Sequence, residues 1–227
     1  MTETLGRVEG RLRVADGVEV STLLVRPATS RALYVLAHGA GAGMRHAFME
    51  ALALRLAQDG VATLRYQFPY TERGSGRIDP EPLLLATARA AVQAGRDAAD
   101  GVPVIAGGKS MGGRMTSRAA AAEPLAGVAG VAFVGFPLHP AGRPGVTRAD
   151  HLAHVAQPLL FLQGTRDALA DLDLLRPVVG RLGPRATLVV VDHADHAFHV
   201  LKRSGRTDAQ VLDQLATALR DWVEGLR

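Results

Sequence analysis

The 227-residue sequence contains no cysteine. Disulfides, thiolate metal sites and a cysteine nucleophile are therefore excluded together. Lysine is almost as scarce: Lys109 and Lys202 stand alone among 26 basic residues, and the arginines are scattered among 22 acids. The net charge of +4 is thus spread out, not gathered into the one-sided basic stripe of a nucleic-acid surface, so no nucleic-acid partner is expected. Long apolar runs are missing too. The longest nearly uncharged stretch, AGVAGVAFVGFPL at 126–138, is too short to span a bilayer, and no membrane association is expected. The opening MTETLGRVEGRLRV lacks the apolar core of a signal peptide, which points to the cytoplasm. Aromatic residues are few, six Phe, three Tyr and one Trp, so each ring and its position stands out.

What the chain does have is aliphatic. With 48% hydrophobic residues it can bury a substantial core, and a single domain over 1–227 is the expectation. After VEVSTLLVRP at 18–27, which alternates like an edge strand, short apolar runs recur at 31–39, 60–68, 101–108, 127–136, 157–164 and 186–193. They are rich in Val, Leu and Ile with little polar alternation, as strands buried on both faces are. Helical stretches lie between them at about 44–59, 81–99, 110–122, 169–182 and 207–226. This order predicts an α/β fold with a mostly parallel central sheet and helices on both faces. Ligands then bind at the carboxyl ends of the strands.

At one such end stands GGKSMGGRM, 107–115. Gly108-Lys109-Ser110 resembles the tail of a phosphate-binding loop, but that loop needs a glycine five positions before Gly108, where this chain has Pro103 inside a strand. The same residues read G-x-S-x-G, the turn that presents a nucleophilic serine, and here the strand VPVIA precedes it and the helix formers of 115–122 follow it. A serine hydroxyl is a poor nucleophile unless an imidazole removes its proton, and the imidazole needs a carboxylate to fix its tautomer. Asp167 follows the strand PLLFLQG, and His193, His196 and His199 follow TLVVVDH. Serine, acid and histidine thus come in the order a strand–turn–helix hydrolase requires. The oxyanion hole needs two backbone N–H groups: that of Met111, after the serine, and one from HGAGAG at 38–43, where Ala40 is the choice and Gly41 the alternative.

Taken together, HGAGAG (38–43), FPY (68–70), GGKSMGGR (107–114), GFPLHP (135–140), DHAF (195–198) and KRSGRT (202–207) resemble the α/β-hydrolase superfamily. Within it the chain is similar to the small, lidless, dienelactone-hydrolase-like members. The resemblance covers residues 30–226 and implies an α/β-hydrolase fold without a lid domain and a triad of Ser110, Asp167 and His196. Ala197 stands where a small hydroxyl residue often follows the histidine. The expected function is a serine hydrolase that cleaves a carboxylic ester or related acyl bond of a small molecule, with no metal or organic cofactor. The alternative is a non-catalytic hydrolase-fold binding or scaffold protein, since the resemblance extends to eukaryotic relatives that look like scaffold subunits. A homodimer is left open.

Other side chains admit two readings. The three histidines with Asp192 and Asp195 have metal-ligand residue types, but they sit on a turn and one is needed for the triad. His38 is expected to be structural. Lys109, just before the nucleophile, is expected to be buried in an ion pair with a carboxylate. Tyr66, Phe68, Tyr70, Phe136 and Phe198 fall at strand ends and would line an apolar substrate pocket, with core packing as the competing reading. Arg73, Arg77, Arg114 and Arg203 stand nearby and would favour a substrate bearing a carboxylate. LKRSGRT at 201–207 would either hold an anionic substrate group or form a solvated loop that caps a helix at Thr207, the reading preferred. The segments 69–80 and 137–157 are expected to form surface loop and one short helix, too little for a lid.

Overall fold

The computed structural model describes residues 5–226. Eight strands form one sheet: β1 Gly6–Ala15, β2 Val18–Arg26, β3 Ala32–Ala37, β4 Val61–Tyr66, β5 Val104–Lys109, β6 Val128–Val134, β7 Leu159–Gly164 and β8 Ala186–Val191. Their spatial order is β1-β2-β4-β3-β5-β6-β7-β8. From β4 to β8 all neighbours are parallel, while β2 runs antiparallel to both β1 and β4.

Strand β2 is therefore interior, not the edge. The edge is β1, whose residues are mostly exposed. Its GRVEGRLRVA carries a charge at nearly every second position, a pattern that suits solvent on both faces of an edge ribbon and hides the strand from an apolar-run criterion.

Six α-helices pack on the sheet: α1 Ala47–Gln58, α2 Pro69–Glu72, α3 Glu81–Asp97, α4 Met111–Ala122, α5 Leu172–Leu182 and α6 Asp208–Glu224. The period-two alternation of β3 divides the core. Leu33, Val35 and Ala37 face Leu84, Val92, Met115, Leu175 and Val178 of α3, α4 and α5. Ala32, Tyr34 and Leu36 face Met49, Leu52, Leu56, Val211, Leu215 and Leu219 of α1 and α6. Helix α6 begins at Thr207, whose hydroxyl accepts from the Gln210 N–H while Gln210 reaches back to the Thr207 N–H, a reciprocal capping box. Between β6 and β7 there is one 3-10 segment, Thr147–His154, and after β4 only the single turn α2. No helical cap covers the carboxyl ends of the strands among the described residues. Among the described residues, no helix is long and apolar enough to cross a membrane.

Candidate active site

Strand β5 ends at Lys109 and α4 starts at Met111, leaving one residue, Ser110, to turn the chain. Its backbone is at φ 51°, ψ −119°, a conformation that costs a non-glycine residue about 1–3 kcal/mol. The turn can be this sharp because its neighbours lack side chains. A Cβ on Gly112 would lie 2.5 Å from the His38 carbonyl oxygen, and one on Gly108 would run into the backbone of Ala37. The glycines let α4 and β3 close on the elbow, and the Ser110 N–H donates to the Val134 carbonyl at 3.1 Å.

The three residues expected from sequence meet here. His196 Nε2 lies 2.8 Å from Ser110 Oγ, and His196 Nδ1 lies 2.7 Å from Asp167 Oδ2. The Asp167 side chain is wholly buried. Its Oδ2 also accepts from Gln163 Nε2 at 2.5 Å, and its Oδ1 accepts from the Leu169 N–H at 2.8 Å. A carboxylate with its lone pairs so occupied cannot swing away from the imidazole. Gln163 is itself fixed, its Oε1 accepting from the Phe136 N–H at 2.9 Å. Sequence reading missed this residue. Its signal was a lone amide at the end of the otherwise apolar strand LLFLQG.

The loop carrying His196 is pinned at several points. Asp195 Oδ1 accepts from the N–H groups of Ala197 and His199, and Ala194 bridges to Val200. Lys109 Nζ donates to the His196 carbonyl at 2.7 Å and sits over the Phe198 ring, 5.5 Å from its centroid. The expected ion pair of Lys109 with a carboxylate is thus replaced by a carbonyl hydrogen bond and a ring contact. Asp167 and Asp195 act on the ammonium only from further off. Burial lowers its pKa to about 8, with both carboxylates opposing. His199 pairs with Asp208 at 2.8 Å on the outside, and His193 lies on the turn after β8, so neither contacts Ser110.

The HGAGAG loop packs over the elbow: a Cβ on Gly39 would be 3.4 Å from that of Ser110. His38 anchors it. Fully buried, its ring pairs through Nδ1 with the Gly39 carbonyl at 2.8 Å and accepts at Nε2 from the Phe68 N–H at 3.1 Å. Burial holds its pKa down at about 4, so the ring is neutral and structural. Ala40, on this loop, and Met111, the first residue of α4, border the same depression beside Ser110. The first N–H groups of α4 have no partner within the helix.

A cavity of about 510 Å³ opens on one side of Ser110, lined by Ala40, Phe48, Lys109, Arg166 and His196 among others. The rings expected to line a substrate pocket are not in it. Phe68, Tyr70, Phe136 and Phe198 are each at most 2% exposed. Phe68 meets His38 edge-on and stacks on Tyr70, and Phe136 packs against Phe133 and Phe161. Phe198 stacks on Phe48 at 5.8 Å beneath the ammonium of Lys109. Tyr66 is buried as well. With so few aromatics, burying each large apolar surface in the core outweighs presenting it to water. The ring that does reach the cavity is Phe48, at the start of α1.

The fold, a mostly parallel sheet flanked by helices, is matched by known proteins. A family model described as alpha/beta hydrolase domain matches residues 30–224, and the chain belongs to that family. Similar solved structures include a dienelactone hydrolase from Anabaena variabilis, 22% identical, covering 97% of this chain and 98% of its own, with a TM-score of 0.74. XC6422 from Xanthomonas campestris, described as an a/b serine hydrolase without lid, is 21% identical, with 98% and 96% covered and a TM-score of 0.72. Est1E from Butyrivibrio proteoclasticus is 15% identical, with 96% and 98% covered and a TM-score of 0.71. At these identities the likeness is one of fold.

Proposed function

We propose that this protein is a serine hydrolase that cleaves a carboxylic ester, or a related acyl bond, of a small substrate through an acyl-serine intermediate. The observation that carries this reading is the continuous chain Ser110 Oγ–His196–Asp167 Oδ2, with both contacts below 3 Å. His196 Nε2 takes the hydroxyl proton as Oγ attacks the carbonyl carbon, and buried Asp167 stabilises the imidazolium and holds the Nδ1–H tautomer. The N–H groups of Met111 and Ala40 receive the oxyanion. The intermediate collapses as His196 returns the proton to the leaving oxygen. Water then repeats the sequence on the acyl-serine, with His196 as its base. The three histidine-turn candidates reduce to His196, the one that contacts serine and aspartate together.

Among the described residues no helical cap seals the site, so a long acyl chain would leave most of its methylenes in water. Each buried methylene contributes about 0.8 kcal/mol; chains beyond the first few carbons gain little. p-Nitrophenyl acetate and butyrate should be hydrolysed with higher kcat/KM than the palmitate. Ser110→Ala should remain folded, lose labelling by a fluorophosphonate probe, and lose ester turnover by several orders of magnitude. Undiminished turnover in that variant rejects the mechanism, and a wild type that neither labels nor turns over esters supports a non-catalytic role.

A further inference from the structure

Ser110 borders a second cavity, of about 340 Å³, which shares Ala40 with the first and adds Met111, Arg114 and Arg148. Because His196 lines the first cavity and must protonate the leaving oxygen, the leaving group belongs on that side. The acyl part then falls into the second cavity, beside the two N–H groups proposed for the oxyanion.

Its wall carries two carboxylates, Asp79 and Glu81, and two guanidiniums, Arg114 and Arg148, and they differ in how they are paired. Asp79 is committed to Arg73, and Glu81 to Arg118 at 2.6 Å. One Asp79 oxygen is left buried without a partner, yet Arg73 offsets that charge. Among the described residues no carboxylate lies within ion-pair distance of Arg114 or Arg148, and Arg114 Nε is buried without a hydrogen-bond partner. Arg114 is placed one helical turn above the nucleophile, its N–H donating to the Ser110 carbonyl at 3.1 Å. Burial, followed by the neighbouring cations Arg148 and Arg118, lowers its pKa, with Glu81 opposing. Two half-buried guanidiniums that share a cavity wall with no carboxylate bonded to either cost self-repulsion and desolvation, which Glu81 offsets only from a distance and a ligand carboxylate would relieve through bidentate hydrogen bonds.

We propose that the second cavity is the acyl subsite and that Arg114 and Arg148 bind a carboxylate at the far end of the acyl chain. The preferred substrates are then half-esters of dicarboxylic acids. This rests on the serine-hydrolase reading, and one experiment separates the two. kcat/KM is measured for mono-p-nitrophenyl adipate and for p-nitrophenyl hexanoate, which has the same number of acyl carbons without the charge, in wild type, Ser110→Ala, Arg114→Met, Arg114→Lys and Arg148→Met.

The adipate-to-hexanoate ratio should exceed ten in wild type and fall at least tenfold in each methionine variant. Arg114→Lys should lie between, because it keeps a point charge without the fork. Equal ratios in wild type and the methionine variants, or a wild-type preference for hexanoate, overturn the subsite while leaving the serine mechanism intact, provided Ser110→Ala abolishes both activities. Retention of both activities in Ser110→Ala overturns the mechanism and the subsite together. Should Arg114→Met fail to fold, Arg148→Met, on the half-exposed 3-10 segment, decides the matter alone.

Discussion

Replacing Asp167 with Asn changes one oxygen into an N–H₂ group and removes a buried charge with almost no change of shape. The amide has two orientations. In one, its nitrogen faces the donors of His196 and Gln163, which now occupy Oδ2. Gln163 cannot turn round to accept, because its own oxygen holds the Phe136 N–H. His196 would have to switch tautomer and point an N–H at Ser110. In the other, the nitrogen faces the Leu169 N–H and only that bond is lost. The second breaks fewer hydrogen bonds and keeps the tautomer, so the dominant loss is the missing negative charge beside the imidazolium. At roughly 4 Å between charge centres and an effective dielectric of 20, that interaction is about 4 kcal/mol, or about a thousandfold in kcat. Population of the wrong tautomer would deepen the loss toward about 10⁴. The orphaned Leu169 N–H should cost about 1–3 kcal/mol of stability. The assay is release of p-nitrophenolate from the butyrate ester, alongside urea unfolding of each protein. A folded Asp167→Asn enzyme retaining more than a tenth of wild-type kcat would refute the assignment of Asp167 as the charge behind His196.

Two further outcomes concern stability. His38 and His151 both have pKa values held down at about 4, chiefly by burial, below the ordinary 6.5. Between pH 6.5 and 4 the unfolded chain therefore binds protons that the folded protein refuses. Stability falls as pH falls through this window, by up to about 1.4 kcal/mol per pH unit for each group. His38→Gln should be less stable at pH 7 but show a shallower acid slope in urea titrations, and an unchanged slope would remove His38 from the account. Gly108→Ala, at φ 149° with its Cβ driven into Ala37, combines a glycine-only backbone with a backbone clash. It should cost more than about 3 kcal/mol, read as loss of soluble yield or a collapse of the urea midpoint. Near-normal stability would mean that β3 and β5 can part at the elbow.

Much of this protein is legible in its sequence because the determinants are local. Apolar runs such as ALYVLA and LLFLQG cannot face water on either side, which fixes a sheet covered on both faces. GGKSMGG can form a strand–turn–helix elbow because only glycine tolerates the approach of β3 there, and the order of Ser110, Asp167 and His196 follows from the strands that carry them. Other features depend on which groups meet across the fold. The charged ribbon β1 is a strand only because β2 offers it a pairing edge. Lys109 finds a carbonyl 87 residues away in place of a carboxylate. Phe68, Tyr70, Phe136 and Phe198 sit at the mouth in sequence but beneath it in space, since burial favours rings that loops can cover. Arg114 was visible as an arginine near Ser110. That Glu81 is bonded to Arg118 and Asp79 to Arg73, leaving Arg114 and Arg148 with no bonded carboxylate among the described residues, was decided only by the tertiary structure, because ion pairing depends on distances that chain order does not contain.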